Sequence, residues 1–106
     1  MLNYLKEEIR KFSDGQFGIR KDAIGPLNHL KEEVDELIDA LGKGGIEEEE
    51  EWADCLLLLL DAFRIRYGDD VSFNRLLHFS LNKLEVIKQR EWDKELDDNG
   101  VYHSRK

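Results

Sequence analysis

Apolar residues recur at helical spacing along almost the whole chain, and no stretch shows the strict alternation of a half-buried strand. Leu2, Leu5, Ile9 and Phe12 form one stripe and predict a first helix over residues 2–12. Ser13-Asp14-Gly15 then breaks the pattern, so residues 16–25 read as a loop carrying Phe17-Gly18 and the basic pair Arg20-Lys21. Pro26 restarts a helix where proline is tolerated best. From there Leu27, Leu30, Val34, Leu37, Ile38 and Leu41 follow the i, i+3, i+4, i+7 template. Gly42-Lys43-Gly44-Gly45 ends that helix and supplies a turn. A run of glutamates, Glu47 to Glu51, opens the next helix, where negative charge is favoured by the macrodipole. Its interior, Cys55 to Leu60, is apolar on every side, more than one neighbouring helix can cover. Burial on two sides follows, against a core and against a subunit interface. Tyr67-Gly68-Asp69-Asp70 closes the segment, and Ser72 is a good N-cap for a last helix from Phe73 to about Glu91. The tail from Trp92 onward is polar, with Val101 and Tyr102 as anchors.

These elements predict an all-α fold, a four-helix bundle forming one domain over residues 1–106 and completed by self-association. Composition narrows the functions it can serve. With Lys+Arg 16 against Asp+Glu 24 the formal charge is -8, which disfavours binding to nucleic acid or anionic membrane and suits metal cations. Cys55 is the single cysteine and lies in an apolar run, so it reads as a small buried hydrophobe in a reducing compartment. The N-terminus lacks a basic segment followed by an apolar stretch, and the longest apolar run is too short to span a bilayer. A cytoplasmic protein is expected.

The candidate chemistry lies in the two central helices. Glu33 and Glu36 are one turn apart on the first of them, and Glu51 and Asp54 are one turn apart on the second. Each pair forms a two-carboxylate prong, and antiparallel packing across a short turn lets the prongs converge. Carboxylates held that close repel unless a cation sits between them. An all-oxygen donor set favours Mg²⁺ over zinc, with Mn²⁺ able to substitute. Because Mg²⁺ usually takes only one or two protein carboxylates and fills its octahedron with water and phosphates, four carboxylates imply more than one ion and a polyphosphate substrate. Asp61, two turns beyond Asp54 in a leucine-rich helix, needs a partner and serves as an outer metal ligand or in a salt bridge. His29, one turn before Glu33, can hydrogen-bond a ligand carboxylate or a phosphate, or be merely structural. Lys83 and Arg90 share a face of the last helix, and Arg20, Lys21, His103 and Arg105 flank it as further phosphate partners. Trp52 reads as core, and Trp92 either packs at the end of the last helix or covers a base.

The order Glu32-Glu33-x-x-Glu36 and then Glu51-x-x-Asp54 resembles the signature of the all-α nucleoside triphosphate pyrophosphatases, the MazG-like superfamily. Phe17-Gly18, Arg20, Gly25-Pro26-Leu27-x-His29-Leu30, Leu60-Asp61-Ala62, Lys83, Arg90, Trp92 and His103-x-Arg105 narrow the resemblance to the MazZ-like dATP/dGTP diphosphohydrolase group, across nearly all of the chain. The resemblance implies a MazG-like bundle assembled as a homodimer or homotetramer. It also implies Mg²⁺ held by Glu33, Glu36, Glu51 and Asp54, and hydrolysis of a (deoxy)nucleoside triphosphate to its monophosphate and pyrophosphate. Ile87 stands where the group usually has Asn, and Asp93 where it has Pro, a departure that touches substrate contacts rather than the metal site. Two other classes fit the bare sequence: a noncatalytic nucleotide sensor and an acidic helical interaction module.

Overall fold

In the computed structural model, which describes residues 1–104, the chain forms four α-helices: α1 (Leu2–Phe17), α2 (Ile24–Ala40), α3 (Gly45–Tyr67) and α4 (Phe73–Lys88). Among the described residues there is no strand, only one antiparallel bridge between Trp92 and Ser104. The all-α architecture is as the apolar pattern predicts.

The α2–α3 hairpin is set by its turn. Gly42, Gly44 and Gly45 have φ of 87°, 67° and 73°, a left-handed region that side chains with a Cβ enter only at a cost. Three such residues within four reverse the chain abruptly, and the Glu48 carboxylate accepts the Gly42 N–H at 3.3 Å across the turn. At the other end of α2, the Asp22 carboxylate accepts the Ile24 N–H at 2.9 Å, which starts the helix two residues before Pro26. Leu37 and Ala40 of α2, Leu60, Ala62 and Phe63 of α3 and Ile9 of α1 form the small buried core. Phe73 is the most buried large residue at 1 % exposure, with its ring 6.4 Å from that of Phe63.

Helix α1 departs from expectation by continuing through Ser13-Asp14-Gly15 to Phe17. Serine and aspartate weaken a helix when their side chains compete for their own backbone. Here both side chains are engaged elsewhere: Ser13 Oγ donates to Asp61 Oδ2 at 2.9 Å, and Asp14 Oδ1 accepts from Arg64 at 3.2 Å. Those tertiary bonds outweigh the roughly 1 kcal/mol that a helical glycine costs. The helix ends at Gly18, whose N–H meets the Asp14 carbonyl at 2.9 Å. The buried stripe also shifts, because Ile9 is buried but Phe12 is 66 % exposed and meets Phe17 edge to face at 6.0 Å. Lys6 is buried instead, its ammonium donating to the Asp69 carbonyl.

A buried ionic network joins α1 to α3. Asp61 Oδ2 accepts from Ser13 and from Arg20 (2.6 Å), while Asp61 Oδ1 accepts from Arg64 Nε (3.1 Å) and Nη2 (2.9 Å). Arg64 also donates to Asp69 at 2.9 Å. Burial works against the Arg64 charge, but its hydrogen bonds to Asp69 and Asp61 prevail and hold its pKa above the ordinary value.

The chain divides into two compact units, Met1–Phe73 and Asn74–Lys106. In the second, α4 stops at Lys88, short of the expected Glu91, and the tail is organised by Asp97. The Asp97 carboxylate accepts the Asn99 and Val101 N–H groups at 2.8 and 2.9 Å and pairs with His103 Nε2 at 2.7 Å, so His103 first and then Val101 hold its pKa low. Trp92 Nε1 donates to the Ile87 carbonyl at 3.2 Å. No helix among the described residues is long and apolar enough to cross a membrane.

Removing one partner from a buried ion network leaves the other charges uncompensated, at about 3–5 kcal/mol. Asp61→Ala should therefore lower unfolding stability by about 3 kcal/mol or more in a urea titration; a loss under about 1 kcal/mol, the usual worth of an exposed pair, would show that the network is not structural.

Candidate metal centre

The hairpin turn lays the start of α3 against the second half of α2. Glu33 and Glu36 occupy adjacent turns of one face of α2, and Glu51 stands on the facing turn of α3. One carboxylate oxygen from each of the three lies within 4.8 Å of the others. Glu33 Oε2 and Glu51 Oε2 are buried and have no hydrogen-bond partner. An unpartnered buried carboxylate oxygen is costly, and two of them beside a third carboxylate are a poor arrangement for a protein on its own. A cation removes the cost. The donors are all hard oxygens, which fits Mg²⁺ or Mn²⁺ and disfavours zinc.

The electrostatics agree. The neighbouring Glu36 carboxylate first, then burial, then Glu51 push the Glu33 pKa up to about 7 from 4.5. His29 Nε2 lies 3.3 Å from Glu33 Oε1, so this histidine is placed against a cluster carboxylate, as its spacing suggests. Asp54 is exposed and is not among the three converging residues, although it lines a cavity next to them together with Glu33. Cys55 is half-buried rather than fully buried, and burial, followed by the charges of Glu33, Glu51 and Asp54, pushes its thiol pKa up.

Two comparisons bear on this geometry. The Cyanophage S-2L MazG-like pyrophosphohydrolase bound to dGDP and three catalytic Mn²⁺ ions per active site is similar in fold, with a TM-score of 0.72 at 24% identity over 100% of this chain and 98% of that one. The family model for dATP/dGTP pyrophosphohydrolase matches residues 5–104. This chain belongs to that family. It is a MazG-like nucleotide pyrophosphohydrolase, and the match spans both compact units. No curated protein matches it.

Against this family background, the structure sorts the expected site residues. Glu33, Glu36 and Glu51 meet, with His29 attached to Glu33. Asp61 stays out of the centre. Both its oxygens are taken by Ser13, Arg20 and Arg64, so of its two expected roles the structure shows the salt bridge and leaves no oxygen for an outer metal ligand. Arg20, expected to meet phosphate, donates to Asp61 and Ser13 instead, with its guanidinium carbon 5.1 Å from the centre of the Phe17 ring. In the second unit, Lys83 is exposed on α4, Arg90 is half-buried just beyond its end, Trp92 is held to Ile87, and His103 is paired with Asp97. Arg105 lies outside the described residues. Trp52 is 56 % exposed rather than core, its indole N–H 3.4 Å from Glu48. Ser13 and Arg64 escaped the sequence reading; Arg64, one turn after Asp61 in an apolar helix, was the available signal.

The raised Glu33 pKa has a signed consequence for the metal-free protein. A carboxyl that ionises at 4.5 when unfolded and at about 7 when folded disfavours the native state progressively as pH rises between those values, and fully above them. Glu33→Gln removes that charge. Its Tm, relative to wild type in EDTA, should be raised at pH 8 and should lose that advantage near pH 4.5. A difference independent of pH would show that the three carboxylates do not repel one another.

Proposed function

We propose that this chain hydrolyses a purine deoxynucleoside triphosphate, dATP or dGTP, to its monophosphate and pyrophosphate at a divalent-metal centre built on Glu33, Glu36 and Glu51. One observation carries the reading: three carboxylate oxygens converge within 4.8 Å, and two buried oxygens among these residues have no partner in the protein. The family match supports the substrate class, and the dGDP and Mn²⁺ ions in the cyanophage relative support both substrate and metal. Mg²⁺ is the proposed physiological ion, more than one per site, with Mn²⁺ as an effective substitute.

Glu33, Glu36 and Glu51 hold the ions, and Asp54, one turn beyond Glu51 and facing the adjoining cavity, completes the set. Bound there, divalent ions supply Lewis-acid polarisation of the α-phosphorus and a water of lowered pKa for in-line attack. Glu33 or Glu36 would help to orient or deprotonate the attacking water. His29, fixed on Glu33 Oε1, holds the carboxylate in place. Glu51→Gln keeps the shape and removes the charge. It should reduce pyrophosphate release from dGTP by about a hundred- to a thousandfold, the scale of losing an essential electrostatic group, while leaving the helical circular dichroism unchanged. Retained turnover would remove Glu51 from the ligand set.

We also propose self-association. In a single chain, Trp52, Leu56 and Leu59, at i, i+4 and i+7 of α3, are 56, 51 and 42 % exposed, and Ile38 of α2 is 58 % exposed, so one side of α3 keeps an apolar stripe uncovered. This is the second side of α3 that its all-round apolar interior requires. Sedimentation equilibrium should give a dimer or tetramer, and Leu56→Lys should shift it toward monomer; a monomeric wild type at micromolar concentration would exclude a subunit interface on this face.

A further inference from the structure

Helix α1 is attached to the α2–α3 hairpin differently from the way the hairpin is held to itself. Leu37 and Ala40 of α2 and Leu60, Ala62 and Phe63 of α3 are buried apolar residues. Of the three buried residues of α1, Lys6, Ile9 and Ser13, only Ile9 is apolar. The other ties are polar and lie along one edge of the helix. The Lys6 ammonium donates to the Asp69 carbonyl just beyond α3, Ser13 Oγ donates to Asp61 at 2.9 Å, and Asp14 accepts from Arg64 at 3.2 Å. Arg20, in the link after α1, donates to the same Asp61.

The apolar side of α1 is not packed on the hairpin. Leu5, Phe12 and Phe17 line a cavity of about 600 Å³ that separates the two, and Phe12 and Phe17 are 66 and 58 % exposed. Glu33, Asp54 and Leu58 belong to the hairpin wall of the same cavity. Paired charges in the interior fix a geometry while adding little net stability, because desolvation offsets most of their attraction. An element with one buried apolar residue therefore opens at a lower free energy than the core it rests on. The polar ties span Lys6 to Asp14, about two helical turns, and each forms only when the whole helix is in place. They close and open together, which gives α1 two positions rather than a range. Beyond Arg20, residues 21–23 lead into α2, and Lys21 and Asp22 are exposed, so the chain can turn there without disturbing the core.

We propose that α1 is a lid on the cavity beside the carboxylate cluster. It swings from the hairpin as one body about residues 21–23 and uncovers the wall that carries Glu33 and Asp54. The bonds that Asp61, Arg64 and Asp69 make to α1 and Arg20 are its latch, returning it to a single closed position. Opening is a property of the metal-free protein and does not depend on the proposed hydrolysis.

Hydrogen exchange read by mass spectrometry on the intact protein tests the lid. A helix of this length is marginal in water by itself, so undocking exposes all its amides. In wild type the amides of α1 should exchange together, at least about tenfold faster than those in the middle of α2 and α3. Lys6→Ala removes the tie at one end and Asp14→Ala the tie at the other. Each should speed exchange throughout α1 by about tenfold, the effect of losing a hydrogen bond to a charged group, and leave the hairpin rates unchanged. Access to the cavity is read separately, with Leu58→Cys in a Cys55→Ser background and a bulky maleimide. Adding Asp14→Ala should raise the labelling rate at position 58 by about the same tenfold. Acceleration confined to the turn that was altered would show fraying rather than a lid. Hairpin amides accelerated as much as those of α1 would show global unfolding, and labelling indifferent to Asp14→Ala would show that α1 does not cover the cavity. Any one of these three results would overturn the proposal.

Discussion

The repulsion among Glu33, Glu36 and Glu51 is the constraint around which the first compact unit is built. Carboxylates that approach this closely separate unless the backbone holds them, and here the backbone does so through a turn whose three left-handed glycines join two helices at short range. The consequence is visible at Glu33, whose proton is held to about pH 7 because the two neighbouring carboxylates and its own burial disfavour the charged form. A protein without a cation for this position would gain by separating the three groups. The geometry suits a cation, whose binding would release that repulsion, and the hydrolysis proposed for this chain would use it.

The second ionic feature has the opposite character. Asp61, Arg64, Arg20, Ser13, Asp14 and Asp69 neutralise and hydrogen-bond one another, so this network resists change where the carboxylate cluster invites a ligand. It anchors α1 and the segment after it to α3. Because Asp61 lies two turns from Asp54 on the same helix, the rigid network and the metal centre bound one cavity from its two ends. Structural and functional charges thus share α3, and their roles are distinguished by whether each carboxylate oxygen already has a donor.

Much of the site was legible in the sequence because it is local. Two i, i+3 carboxylate pairs flanking a glycine turn specify a face, a facing partner and a short distance between them, and three of the four carboxylates meet as that pattern requires. What depended on tertiary partners was less legible. A carboxylate in an apolar helix must be paired, but the sequence does not say whether by metal or arginine, and for Asp61 the structure shows Arg20 and Arg64. Likewise Ser13-Asp14-Gly15 has the propensity of a helix stop, yet α1 continues because α3 occupies the two polar side chains. Trp52 was misplaced for a related reason: its size suggests a core position, but one chain has too little core to cover all of α3.

Whether the three carboxylates share manganese can be seen in crystals grown in Mn²⁺, by anomalous diffraction at the manganese edge. Anomalous peaks are expected within coordination distance of carboxylate oxygens from Glu33, Glu36 and Glu51, with Glu33 Oε2 and Glu51 Oε2 among the ligands. A map in which those oxygens face one another across water, with manganese absent or bound elsewhere, would contradict that expectation.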